Sequence, residues 1–289
     1  MTAVTEPWTI ARVLDWTRQD FAARGMPSPR LEAELLIAHS LGLRRVELYT
    51  RFDQPLRDHE LAAIRVLVGR RRKLEPIAYI LGAREFYGRS FAVDHSVLIP
   101  RPETEEVVEA ALALIPPKVE GVTVPVLDLC VGSGAIAVTI ACERTDTRVD
   151  ATDLSLEAVS TARKNAEKLG ASDRVRVLQG SLYEPLGESR YALIVSNPPY
   201  IATAEIATLM ADVRDFEPHL ALDGGPSGDR VIASVIREAR VHLLEGGVLV
   251  VEIGADQAER VRVLARDAGF DQLEVRRDLA GRDRILVAR

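Results

Sequence analysis

Two hydrophobic periodicities divide the chain. From Ile10 to Arg24 apolar and polar residues recur at helical spacing and stop at Gly25. Ser28 and Pro29 then supply a cap and a first-turn proline for a helix carrying Leu31, Leu35 and Ala38, which ends near Gly42. A third major helix, capped by Asp58, sets Leu61, Ile64 and Leu67 on one face and closes on Arg70-Arg71-Arg72-Lys73. From Val124 onward, short apolar runs alternate with helical stretches. Strands are predicted near 124–129, 148–153, 174–179, 191–196, 247–253, 272–277 and 283–288, and helices near 134–143, 155–169, 229–244 and 256–268. Such alternation builds an α/β domain with a mostly parallel sheet and helices on both faces. Only Asp278 to Arg282 separates the last two strands, too short a connection for a parallel crossover, so they are expected to pair antiparallel.

Between the two regions, Phe86–Asp94 and Ser96–Ile99 read as two short strands around a turn, and Pro100-Arg101-Pro102 stiffens the chain before another helix. The expected organisation is a helical domain over 1–80, a hairpin linker over 81–103 and an α/β domain over 104–289. A chain of 289 residues, 47% of them hydrophobic, is long enough for two such cores. The net charge of −6 argues against broad binding to a phosphate backbone. The two cysteines, Cys130 and Cys142, lack metal-site spacing and the five histidines are scattered, so neither a metal nor a disulfide framework is expected. No basic start leads into an apolar stretch and no run approaches the roughly 20 apolar residues of a membrane span, so the expectation is a cytoplasmic protein without a membrane partner. The basic run at 70–73 reads either as a solvated helix end favoured by the helix dipole or as a docking patch for an acidic partner.

The chemistry gathers at strand ends. Asn197-Pro198-Pro199-Tyr200 follows the apolar run Tyr191–Ser196. An sp² amino or amide nitrogen presents two N–H donors in one plane. Asn197 offers a side-chain oxygen for one, and Pro198 offers a backbone carbonyl that two successive prolines keep out of helical pairing. Tyr200 can lay an aromatic face against that plane. Upstream, Cys130-Val131-Gly132-Ser133-Gly134 forms a small-residue turn between a strand and a helix, where backbone can approach a ligand. It does not fit the dinucleotide fingerprint, because Val138 stands at the third small position. Asp153 ends the next strand, placed to accept hydrogen bonds from ribose hydroxyls, and Ser155 caps the following helix.

These blocks, together with Glu75–Tyr87, Val97–Glu105, Phe216-Glu217-Pro218, Ala221–Gly225 and Gly281–Arg284, resemble the release factor glutamine methyltransferases (the PrmC/HemK family), and the resemblance covers nearly the whole chain. It implies a Rossmann-like seven-stranded methyltransferase sheet with an antiparallel last strand, S-adenosylmethionine as cofactor, and class-1 peptide chain release factors as protein substrates. It further implies that Gly132, Ser133 and Gly134 approach the cofactor's methionine part and that Asp153 holds its ribose. Asn197 and the Pro198 carbonyl would hold a glutamine side chain, within the substrate-binding set Asn197, Pro198, Pro199 and Tyr200. The stretch from Pro100 to Glu105 would lie over the cofactor, with Glu217-Pro218 near the site mouth. Three departures stand out. Cys130 and Val131 replace the usual glycine and threonine. Leu182, the expected apolar contact to adenine, lacks the usual acidic neighbour. Pro226–Asp229 replaces a commoner Asp-Gly pair. Close alternatives are a ribosomal-protein glutamine methyltransferase and an adenine amino methyltransferase, since adenine's amine is also planar with two N–H donors; the acidity disfavours direct nucleic acid binding. A cofactor-dependent binding module without turnover is the third class.

Overall fold

The computed structural model describes residues 7–289; residues 1–6, the start of the segment read for a signal peptide, lie outside them. The chain divides into two compact units, Met1–Gly82 and Ala83–Arg289. The first contains α1 (Ile10–Ala23), α2 (Pro29–Leu41), α3 (Arg45–Thr50), α4 (Asp58–Arg72) and α5 (Ile77–Leu81). The Thr9 hydroxyl accepts from the Arg12 amide and caps α1, while Gly42 ends α2 at φ +64, a conformation that favours glycine. Asp58 proves to be the first residue of α4 rather than its cap. Arg57 holds the cap position, and its amide donates to Glu60 at 2.7 Å. Phe21, Leu36, Ile37 and Leu48 are fully buried at the centre of this unit.

Within the basic run all three arginines are paired with carboxylates, and Lys73 is exposed. Arg71 is 4% exposed and makes two bonds to Glu32, Nε to Oε2 at 2.8 Å and Nη2 to Oε1 at 3.2 Å, while Nη1 donates to the Glu75 carbonyl. Arg70 grips the Glu75 carboxylate, and Arg72 grips Asp20 while lying over the Trp16 ring at 5.0 Å. The arginines tie α4 to α1, α2 and the turn after α4. Helical spacing could not show this, because the acidic partners of Arg71 and Arg72 are 39 and 52 residues away. Removing one member of a buried pair strands the other's charge, which costs about 3–5 kcal/mol. Arg71→Met should therefore destabilise this unit by that amount, and the double replacement Glu32→Leu/Arg71→Met by distinctly less. Urea unfolding followed by tryptophan fluorescence isolates the effect, since both tryptophans, Trp8 and Trp16, lie in this unit.

The second unit opens with a hairpin, β1 (Ala83–Phe86) and β2 (Arg89–Ala92). Its strands fall earlier than predicted because Tyr87 and Gly88, at φ +49 and +69, make the two-residue turn themselves. Ser96–Ile99 is not a strand. Its backbone is held by side chains instead, the Ser96 amide by Asp94 and the Ile99 amide by Glu217. Then follow α6 (Pro102–Leu114), β3 (Val124–Leu129), α7 (Ala135–Glu143), β4 (Thr147–Asp153), α8 (Leu156–Lys168), β5 (Val175–Gln179), β6 (Tyr191–Ser196), α9 (Ala211–Phe216), α10 (Arg230–His242), β7 (Leu243–Glu252), α11 (Ala258–Asp267), β8 (Leu273–Arg277) and β9 (Asp283–Ala288).

The sheet has seven strands in the order β5-β4-β3-β6-β7-β9-β8, parallel except for β9, which runs antiparallel to both β7 and β8. Two apolar clusters cover its faces, one around Val126, Val138 and Val195, the other around Leu127, Ile194 and Ile236. The alternation of inward residues along β3 and β6 feeds both, which is why those strands read as continuous apolar runs. From β3 the chain crosses to β4 on one side, and from β6 to β7 on the other. The order thus reverses between β3 and β6, and their carboxyl ends flank a crevice. Among the described residues no helix is long and apolar enough to cross a membrane.

Candidate active site

A cavity of about 380 Å³ occupies that crevice. Cys130, Val131, Gly132 and Ser133 line it after β3, Asp153 at the end of β4, Leu182 after β5, and Asn197 and Pro199 after β6. Pro100, Arg101 and Thr104 form the wall opposite, with Pro218 and Leu220 beside them. Three residues singled out in the sequence are not in the wall. Gly134 stands behind it at φ +82, where an added Cβ would come within 3.3 Å of Ala162 on α8, so its bareness lets the two helices close up. Pro198 is buried behind its neighbours. Tyr200 packs on the apolar cluster at Leu127 and Ile194, with its hydroxyl turned to Glu252 rather than its ring to the cavity.

The glycine turn is held from two sides. Gly132 donates its amide to Asp153 Oδ2 at 2.9 Å, and Ser155 donates to Oδ1 at 2.9 Å, so the carboxylate is fixed with lone pairs to spare for hydroxyl donors. Burial raises the Asp153 carboxyl pKa, against the pull of these amides. Asn165 on α8 braces the other side, donating to the Ser133 and Ala92 carbonyls and accepting from the Ala92 amide. Cys130 takes φ +62, a backbone conformation that costs a residue with a Cβ about 1–2 kcal/mol. Burial pushes its thiol pKa well up, so it stays protonated. Among the described residues no group of three or more His, Cys, Asp or Glu side chains could hold a metal ion.

Asn197 is oriented by a chain of hydrogen bonds. Its Nδ2 donates to Thr104 Oγ1 at 3.1 Å, Thr104 Oγ1 donates to Glu252 Oε2 at 2.7 Å, and the Tyr200 hydroxyl donates to Glu252 Oε1 at 3.3 Å. Gln257 fixes the backbone behind them by donating to the carbonyls of Tyr200 and Gly228, both at 3.0 Å. Among the described residues no protein group donates to the Pro198 carbonyl. Arg101 reaches across to the buried Glu217 at 2.6 Å, joining the Pro100–Arg101 stretch to Pro218 along one wall.

Over 100% of its length and 99% of its counterpart's, the chain is 47% identical to the release factor glutamine methyltransferase of Geobacter sulfurreducens (strain ATCC 51573 / DSM 12127 / PCA). The chain belongs to the release factor glutamine methyltransferase family. The enzyme of that name from Rhodopirellula baltica (strain DSM 10527 / NCIMB 13988 / SH1) is 43% identical over 97% of this chain and 96% of its own. Residues 12–82 match the PrmC N-terminal domain and residues 109–225 the methyltransferase small domain. A crystal structure of a methyltransferase from Pyrococcus furiosus shares the fold, at 16% identity and a TM-score of 0.54 over 76% of this chain and 97% of its own.

Sequence reasoning passed over Glu252 and Asn165 in this methyltransferase. Glu252 left a signal, a lone carboxylate closing the apolar run Val248–Val251. Asn165 left none, since a polar residue on an amphipathic helix is ordinarily solvent-facing. Asp128, at the core end of the same turn, accepts the Ala137 amide through Oδ2 at 2.9 Å, while its Oδ1 has no partner among the described residues. Burial raises its carboxyl from 3.8 to about 8. A folded-state value above the unfolded one favours folding fully below the unfolded value, and that contribution is lost as pH rises through about 8. Asp128→Asn keeps an acceptor for Ala137 without the charge. Relative to wild type, its stability, measured by urea unfolding with circular dichroism, should lose less with rising pH between about pH 5 and 8 and run parallel above that range.

Proposed function

We propose that this enzyme transfers the methyl group of S-adenosylmethionine to the side-chain amide nitrogen of the glutamine in the Gly-Gly-Gln motif of class-1 peptide chain release factors. One observation carries the reading: at the end of β6, Asn197 lines the cavity and spends its Nδ2 on Thr104, leaving Oδ1 to accept, and among the described residues no donor occupies the carbonyl of Pro198, the residue that follows it. A primary amide has two N–H groups in one plane, and this pair offers two acceptors. The kinship with release factor glutamine methyltransferases supports the substrate.

The cavity fits the cofactor's chemistry. Asp153 retains acceptor capacity for vicinal hydroxyls, the space beside Gly132 is open where a side chain would project, and Leu182 gives an apolar surface for a flat ring. Bound there, S-adenosylmethionine supplies an activated methyl group. In this reading Gly132 and Ser133 border its methionine part, Cys130 and Val131 its near wall, and Gly134 acts indirectly by shaping the turn. Tyr200 contributes by anchoring the segment after Pro199 through its hydroxyl. An amide nitrogen is a poor nucleophile, its lone pair being shared with the carbonyl. Accepting both N–H bonds raises electron density on it and holds it in line. Orientation of this kind is worth up to roughly 7–11 kcal/mol. The unit matching the PrmC N-terminal domain, drawn over residues 1–80, is read as the docking part for the release factor, residues 81–103 as a linker and 104–289 as the transferase. Acting on a translation factor makes the enzyme cytoplasmic, with no direct nucleic acid contact required.

Incubation with S-adenosylmethionine and a release factor, followed by fragmentation mass spectrometry, should find the methyl group on that glutamine and lose it in a glutamine-substituted control. Methyl on a ribosomal protein alone would overturn the substrate. Asn197→Ala should lower kcat by at least about 100-fold with unfolding unchanged. Asp153→Ala should weaken S-adenosylmethionine binding, measured by calorimetry, by about tenfold or more.

A further inference from the structure

A buried carboxylate behind the Asn197 clamp needs an explanation. Glu252 ends β7 at 1% exposure, and both of its oxygens accept, from Thr104 and from Tyr200. A threonine hydroxyl has one proton. An ionised carboxylate only accepts, so Thr104 spends its proton on Glu252 and turns a lone pair to Asn197, which can answer only with its NH₂ group. We infer that Glu252 is a positioning residue which dictates, through Thr104, that Asn197 presents oxygen rather than nitrogen to the cavity. The inference rests on the proposed role of Asn197 in holding the substrate amide. The two orientations of a carboxamide are nearly the same shape. Reversed, Asn197 would point a donor at the substrate's donors and the clamp would repel what it should hold.

The surroundings of Glu252 make this polarity pH-dependent. Burial raises its carboxyl to about 7, opposed by the Thr104 bond, the Arg284 charge on β9 and the Tyr200 hydroxyl, and aided by Glu103 on α6. Arg284 is itself shared with Asp278 at 3.3 Å and the Ile253 carbonyl at 3.2 Å. Below about 7 the protonated acid can donate to Thr104, which frees the threonine proton to point at Asn197. The correct polarity therefore builds up as pH rises through about 7.

Thr104→Val, Thr104→Ser and Glu252→Gln test this in the full chain with S-adenosylmethionine and a release factor. Thr104→Val should lower kcat on the order of tenfold, about what one lost orienting bond is worth, with S-adenosylmethionine affinity changed less than about threefold. Thr104→Ser should recover most of that loss. In wild type kcat should rise through about pH 7, and in Glu252→Gln that limb should vanish. The side-chain amide NMR resonances of Asn197 should shift over the same pH range in wild type and stay still in Glu252→Gln, whatever the substrate. A wild-type kcat in Thr104→Val, an equal loss in Thr104→Ser, or Asn197 resonances indifferent to pH would overturn the inference. If wild type transfers no methyl to the release factor, the functional reading fails, while the Asn197 resonances still decide the relay.

Discussion

Parallel pairing of β3 with β6 is the contact on which the site depends. The register sets Asp128 beside Val195 and Leu129 beside Ser196, and the Ser196 hydroxyl reinforces it by donating to the Leu129 carbonyl at 2.7 Å. Both strands therefore end at the same level. The glycine turn after Leu129 and the Asn-Pro-Pro segment after Ser196 leave the sheet side by side, one toward β4 and the other toward β7. A slip of one residue would turn the inward side chains of a strand to the opposite face and break both apolar clusters, so the core that stabilises the sheet also sets the spacing of the site.

Around that pair the protein buries carboxylates where water would serve them better. Asp128, Asp153, Glu217 and Glu252 all have their pKa values raised, in each case chiefly by burial. Asp128, Asp153 and Glu217 accept at least one backbone amide, Glu217 also pairs with Arg101, and Glu252 is met by two hydroxyls. Each therefore fixes a neighbouring segment: Asp128 the start of α7, Asp153 the glycine turn, Glu217 the stretch before α6, and Glu252 the pair Thr104 and Tyr200. Stability is given up at these positions in exchange for a cavity wall whose polar atoms point in one defined direction. The helical unit uses the same device, with the buried Arg71–Glu32 pair setting α4 against α2.

Much of this was legible in the residues. The alternation of apolar runs and helical stretches yields the seven strands within a few residues of where they lie, because the central strands β3 and β6 are buried on both faces and must be written in apolar residues, while the edge strands β5 and β8 still alternate apolar with polar positions. The short Asp278–Arg282 connection predicts the antiparallel final pair for a purely geometric reason. The hairpin was harder: Tyr87 takes positive φ without being glycine or asparagine, so its turn carries a weak signal. The stretch 203–221, with α9 and two 3₁₀ turns, has no periodicity of its own, since its shape comes from bonds such as Thr203 to Asp223 and the Ile201 and Gly224 backbone pairing.

The sequence by itself determined which chemistry is present: a glycine turn, an acidic strand end and Asn-Pro-Pro-Tyr are local chemical statements, readable because each depends on adjacent residues. Tertiary structure alone decided how they are oriented. The partners that orient Asn197, Tyr200 and the glycine turn are Thr104, Glu252 and Asn165, and they come from α6, β7 and α8. Hydrogen bonds between residues 93 or 52 positions apart leave no periodic trace in a chain. Which end of a carboxamide faces a substrate is therefore settled only once the core has brought those partners together.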